Sequence, residues 1–75
     1  MVSKVIYLDK ISDITQFAIE AQKIEGDVIA RRGKFVVDAK SILGVISINP
    51  AEGITVEYPE GEENFTHFLD EFGQR

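Results

Sequence analysis

The sequence contains no cysteine, which excludes a disulfide framework and any thiolate metal site. It has one histidine, His67, so no cluster of imidazoles can bind a metal. No stretch approaches the ~18 consecutive apolar residues that a membrane-spanning helix needs. The N-terminal Met1-Val2-Ser3-Lys4-Val5-Ile6-Tyr7 has neither a long apolar core nor a small-residue cleavage site. It does not read as a secretory signal, and a cytoplasmic protein is expected. Positive charge is scarce: from Glu52 to Glu71 there are seven acids and no Lys or Arg. Arg31, Arg32 and Lys34 are the one basic cluster, at an expected hairpin tip where charge keeps a turn soluble. With a net charge of −5, a broad basic surface for nucleic acid is excluded. Gly-rich phosphate loops, paired catalytic carboxylates and Ser/His/Asp sets are also missing, so the chain is not expected to be an enzyme.

What is present fits one small domain over residues 1–75, with stability drawn from helix and sheet packing alone. Val2 to Leu8 is rich in β-branched residues and predicts a first strand. Ile14, Phe17, Ala18, Ala21 and Ile24 recur at helical spacing, predicting a helix from about Asp13 to Glu25 with Ser12 as N-cap. Gly26 suits its end. Asp27 to Arg31 and Lys34 to Val37 predict a hairpin around an Arg32-Gly33 turn. Ile54 to Tyr58 alternates cleanly, as a half-buried strand does. Phe65, Phe68, Leu69 and Phe72 form the stripe of a last helix, with Glu62 and Glu63 at its positive end and Gly73 behind it.

Between the hairpin and the last strand lies Asp38-Ala39-Lys40-Ser41-Ile42-Leu43-Gly44-Val45-Ile46-Ser47-Ile48. Ile42, Val45 and Ile46 fall at i, i+3, i+4 after Ser41, which sits where an N-cap belongs. A short helix follows, ended by Asn49-Pro50. It must bury something, and Val45 with Leu43 or Ile46 is the expected core contribution. The order β-α-β-β-α-β-α predicts an α+β fold, a four-stranded antiparallel sheet with three helices on one face.

That order, the Ala39-to-Ser47 run, Ala21 in the first helix and Asp27-Val28 before the second strand together resemble HPr, the phosphocarrier of the bacterial sugar phosphotransferase system. The resemblance spans nearly the whole chain and implies an open-faced β-sandwich. It also implies a Gly-Leu-His-Ala-Arg-Pro segment whose His carries phosphate. Here the corresponding residues are Leu8-Asp9-Lys10-Ile11-Ser12-Asp13, with Lys10 at the His position, Ser12 at the Arg position and Asp13 at the Pro position. A lysine of ordinary pKa, about 10.4, is ammonium at neutral pH and cannot attack a phosphoryl group. Asp9 and Asp13 would repel that group as well. No catalytic residue, cofactor or metal is therefore expected.

By the same resemblance, Ser41 matches the regulatory serine modified by an ATP-dependent kinase. Lys40, Ile42, Leu43 and Ile46 match the surface that docks protein partners. The implied function is a regulatory binding module outside the relay, similar to the catabolite-repression paralogue that lacks the His. The implied partners are phosphotransferase-system enzymes, an HPr kinase or a transcriptional regulator, with no nucleic acid or membrane. Two alternatives stay open: a phosphocarrier with a displaced acceptor, or a structural or oligomerising module without phosphate chemistry. His67 lies off the apolar stripe with only Asp70 and Glu71 near it in sequence, and reads as a solvated surface residue.

Overall fold

The computed structural model describes residues 1–73. Its elements are β1 (Val2–Ile6), α1 (Ile11–Gln22), β2 (Ile29–Arg32), β3 (Phe35–Asp38), α2 (Ile42–Ser47), a 3-10 turn (Pro50–Glu52), β4 (Ile54–Tyr58) and α3 (Glu63–Asp70). The strands form a single sheet in the order β1-β4-β2-β3, every pair antiparallel. This is the expected open-faced α+β sandwich.

Alternation along the strands decides which face is covered. Ile54, Val56 and Tyr58 of β4 are buried, as are Ile6 of β1 and Ala30 of β2. The helices cover this side with Phe17, Ala18 and Ala21 of α1, Val45 of α2, and Phe65 and Leu69 of α3. Burying each large side chain of this set contributes about 1.5–3 kcal/mol. Phe65 meets Tyr58 edge-on, centroids 5.0 Å apart, and Phe17 at 6.1 Å. Tyr58 is fully buried, and its hydroxyl pairs with Thr66 Oγ1 at 2.6 Å, so the phenol leaves no stranded polar atom. Phe68 and Phe72 pack only partly against this core. On the other face, the register aligns Val5, Thr55, Arg31 and Val36 in one row. There Arg31 reaches Glu57 at 3.0 Å.

Several boundaries move from their sequence-based positions. β1 stops at Ile6 because the next two amides leave the sheet, Tyr7 donating to Phe72 O (2.9 Å) and Leu8 to Pro50 O (3.1 Å). α1 starts two residues early. The N-cap is Lys10, extended at φ −105° and ψ 144°, and not Ser12, which lies within the first turn. Lys10 makes no side-chain cap; its carbonyl accepts from Asp13 and Ile14. The helix ends at Gln22, short of Glu25. The hairpin turn is Gly33-Lys34, since Gly33 takes φ 58° at the first central position, where primed turns need positive φ. β4 falls where the alternation placed it.

One further glycine is fixed by contact as well as conformation. Gly53 has φ 102°, and a Cβ built there would lie 2.8 Å from Tyr7 Cε2. Gly53→Ala is expected to lower stability by about 1–3 kcal/mol in chemical denaturation, from backbone strain and the displaced ring.

The Lys4 ammonium lies 2.6 Å from Asp70 Oδ1, joining β1 to the end of α3. This hydrogen bond raises the Lys4 pKa above its ordinary 10.5. Because the folded value is the higher one, the stabilisation is complete below 10.5 and is lost as pH rises through the raised value. Asp70→Asn should therefore melt below the parent protein at neutral pH, with the difference closing as alkali deprotonates Lys4.

Candidate functional site

The residues of interest gather around α2 and the adjoining flank of α1. Ser41 is extended (φ −101°, ψ 115°), and its hydroxyl accepts from Gly44 N at 3.1 Å. It is the expected N-cap, and it is exposed. Gly44 lets the helix lie close to β3: a Cβ there would sit 3.4 Å from Val37 Cβ and from Ser41 Oγ. Val45 points into the core.

The partition of the remaining α2 side chains corrects the sequence reading. Val45 is joined against the core by Ile42, not by Leu43 or Ile46. Leu43 is 79% exposed and Ile46 39%. The reason is rotational: with Val45 inward and Gly44 against β3, Leu43 and Ile46 turn outward. So α2 carries two solvent-facing aliphatic residues beside an exposed serine.

Lys40 is committed elsewhere. Its Nζ donates to Ile24 O (2.7 Å) and Gly26 O (2.8 Å), the carbonyls just past α1. Its backbone N–H donates to Asp38 Oδ1 at 2.9 Å, and its carbonyl accepts from Gln22 Nε2 at 3.0 Å. A fifth bond, Ala39 N to Val28 O at 2.9 Å, completes the tie between the end of α1 and the pivot before α2. Sequence pattern gave no sign of this tie, because a lysine reaching carbonyls 14 and 16 residues back has no local periodicity.

These bonds place the C-terminal end of α1 beside the start of α2. The Leu8–Pro50 bond places the approach to α1 beside the 3-10 turn that follows α2. The two helices thus run in opposite directions, with Lys10 at one end of the pair and Ser41 at the other. Lys10 and Asp9 are exposed, and Asp13 is half-buried in the first turn of α1.

Two residues join the surface that sequence reasoning passed over. Ile11, Thr15 and Ile19 repeat at i, i+4, i+8, and Gln22 continues the row. Since the Gln22 amide reaches Lys40 O, this flank faces α2. Ile11 is 65% exposed and Ile19 41%, so the flank of α1 that carries Gln22 bears exposed aliphatic carbon, as α2 does at Leu43 and Ile46. The available signal was a second apolar row offset from the core stripe. His67 lies away from this surface, exposed on α3. Among the described residues no three His, Asp or Glu gather as a metal site.

Replacing Lys40 by Met keeps its aliphatic stem and removes the donors to Ile24 and Gly26. The expected loss is about 1.5–3 kcal/mol in denaturant, the range for a hydrogen bond to a charged group. Amide exchange should quicken at the end of α1 and through residues 24–28.

No protein-family model and no curated protein matches the sequence. Among solved structures, the chain is similar to the crystal structure of a phosphocarrier protein HPr from Bacillus anthracis str. Ames. The TM-score is 0.68 at 22% identity, with 95% of each chain covered. The likeness is one of fold: the chain has the HPr-like architecture over essentially its whole length.

Proposed function

We propose that this protein is an HPr-like regulatory binding module of the phosphotransferase-system type, with Ser41 as its phosphorylation switch and the α1–α2 seam as its docking surface. The observation that carries the reading is the exposed Ser41 hydroxyl at the start of a helix whose Leu43 and Ile46 stand in solvent. A kinase can reach that hydroxyl. A phosphate there adds a charge near −2 and strong acceptor oxygens, which can take over the bond from Gly44 N. The added charge would sit directly beside the apolar docking residues, and so would change which partners the seam accepts.

The HPr relay position supports the same reading from the other side. Lys10 stands at the N-cap of α1, where the resemblance places the phosphorylatable histidine, with Asp9 and Asp13 around it. That end holds no imidazole, and the carboxylates of Asp9 and Asp13 repel an incoming phosphoryl group. The partners proposed are proteins: a kinase acting on Ser41, and an enzyme or transcriptional regulator docking on Ile42, Leu43 and Ile46, with Ile11 and Ile19 extending the contact. Lys40 serves that surface by fixing the pivot from which α2 starts.

Intact-mass analysis after two incubations tests this. With ATP and an HPr kinase, the protein should gain one phosphate that Ser41→Ala does not gain. With phosphoenolpyruvate and the first enzyme of the phosphotransferase system, it should gain none. Acid-labile phosphate from phosphoenolpyruvate would overturn the non-relay reading and direct attention to His67. Absence of phosphate in both incubations would reduce Ser41 to a helix cap.

A further inference from the structure

A different surface, at the far edge of the sheet, is unused by the reading above. β3 is an edge strand, hydrogen-bonded to β2 on one side only. It also displays Phe35, 65% exposed, and Val36, 50% exposed. In a two-residue hairpin the flanking pair, here Arg32 and Phe35, exchange both backbone bonds. Val36 therefore turns its N–H and C=O outward, and Asp38 does the same with its N–H. The Asp38 carbonyl is taken by Ser41 N at 3.0 Å.

The hairpin end of this edge carries charge opposite to the molecule's net charge, while Asp38 makes its other end acidic. Arg31 is occupied by Glu57, but Arg32 and Lys34 form no ion pair among the described residues. In a chain of net charge −5, two unpaired cations flank an exposed phenylalanine on an open strand edge. We propose that the β3 edge, with Arg32, Lys34, Phe35 and Val36, is a docking site for an extended acidic segment of a partner protein, which adds to the sheet as a fifth strand. Main-chain bonds to Val36 and Asp38 supply the pairing. The alternating side chains of the added strand divide between the Arg32–Phe35 face and the Val36 face, so acids on the first meet Arg32, apolar residues on the second cover Val36, and Lys34 stands at the turn beside the strand's end. A second copy of this chain is the poorer occupant: two chains of net −5 repel, and the acids of residues 57–63 are already held in β4, its turn and α3.

The test is an NMR titration of the isotope-labelled protein with a capped peptide of about seven residues alternating Glu with Val. Shifts should concentrate on the amides of residues 32–38 and weaken with added salt. The double substitution Arg32→Ser, Lys34→Ser, and separately N-methylation of alternate peptide amides, should each lower affinity about tenfold or more. Ser41→Ala and Leu43→Ser should leave it unchanged, which separates this edge from the α1–α2 seam. Equal binding of the peptide with Lys in place of Glu would overturn the proposal, as would shifts confined to the seam or no shifts at millimolar peptide. Concentration-dependent self-association through the same amides, without peptide, would assign the edge to a second copy instead.

Discussion

The ammonium of Lys40, held between the carbonyls of Ile24 and Gly26, joins parts of the fold that the sheet cannot join. A chain of this length with no disulfide has a small core, and its long connections need their own anchors. Strand pairing aligns β1, β4, β2 and β3, and side-chain burial seats the helices. Neither fixes where α1 ends relative to where α2 begins. The Lys40 contacts do so, together with Gln22 and Asp38, in a cluster of charged and amide groups at the surface. Ser41 inherits its position from this arrangement, since its own backbone N–H follows directly from the Asp38 carbonyl. The cap, the exposed hydroxyl and the outward turn of Leu43 all follow from that start point.

The alternating pattern of β4 and the cap-plus-period signal of α2 were legible in the sequence because both are local. The misplacements share a different origin. Lys10 displaced Ser12 as the first cap residue because the turn from β1 is set by amides of Tyr7 and Leu8 reaching Phe72 and Pro50, far away in sequence. The shift of the hairpin turn to Gly33-Lys34 depends on register with β2. Which of Ile42, Leu43 and Ile46 is covered depends on the rotation of α2, decided by Gly44 against Val37. Period alone shows that a helix has an apolar face, not where the neighbours stand. Ser41 and its neighbours on α2 were thus legible as one short capped helix, while Ile11, Ile19 and the direction of the Lys40 side chain were not.

Charge is distributed with the same economy. Of the acids from Glu52 onward, Glu52 lies in the 3-10 turn after α2, and the others fall on β4, the following turn, α3 and its C-cap. One of them, Glu57, neutralises Arg31 across the open sheet face, and Asp70 holds Lys4. Of the cations without an ion pair among the described residues, Arg32 and Lys34 stand at the β2–β3 tip, Lys10 at the start of α1, and Lys40 on the carbonyls of Ile24 and Gly26. The surface therefore carries two chemically distinct patches, an aliphatic one on α1 and α2 and a cationic one at the β2–β3 tip.

The opposed orientation of α1 and α2 makes the two ends of the helix pair independent of each other. Lys10 and Ser41 sit at opposite ends of the helix pair, and no hydrogen bond of the Lys40 cluster passes through the Asp9-to-Asp13 turn. A substitution at Lys10 therefore leaves the Ser41 cap and the Lys40 pivot in place, and a substitution at Ser41 leaves the Asp9-to-Asp13 turn in place.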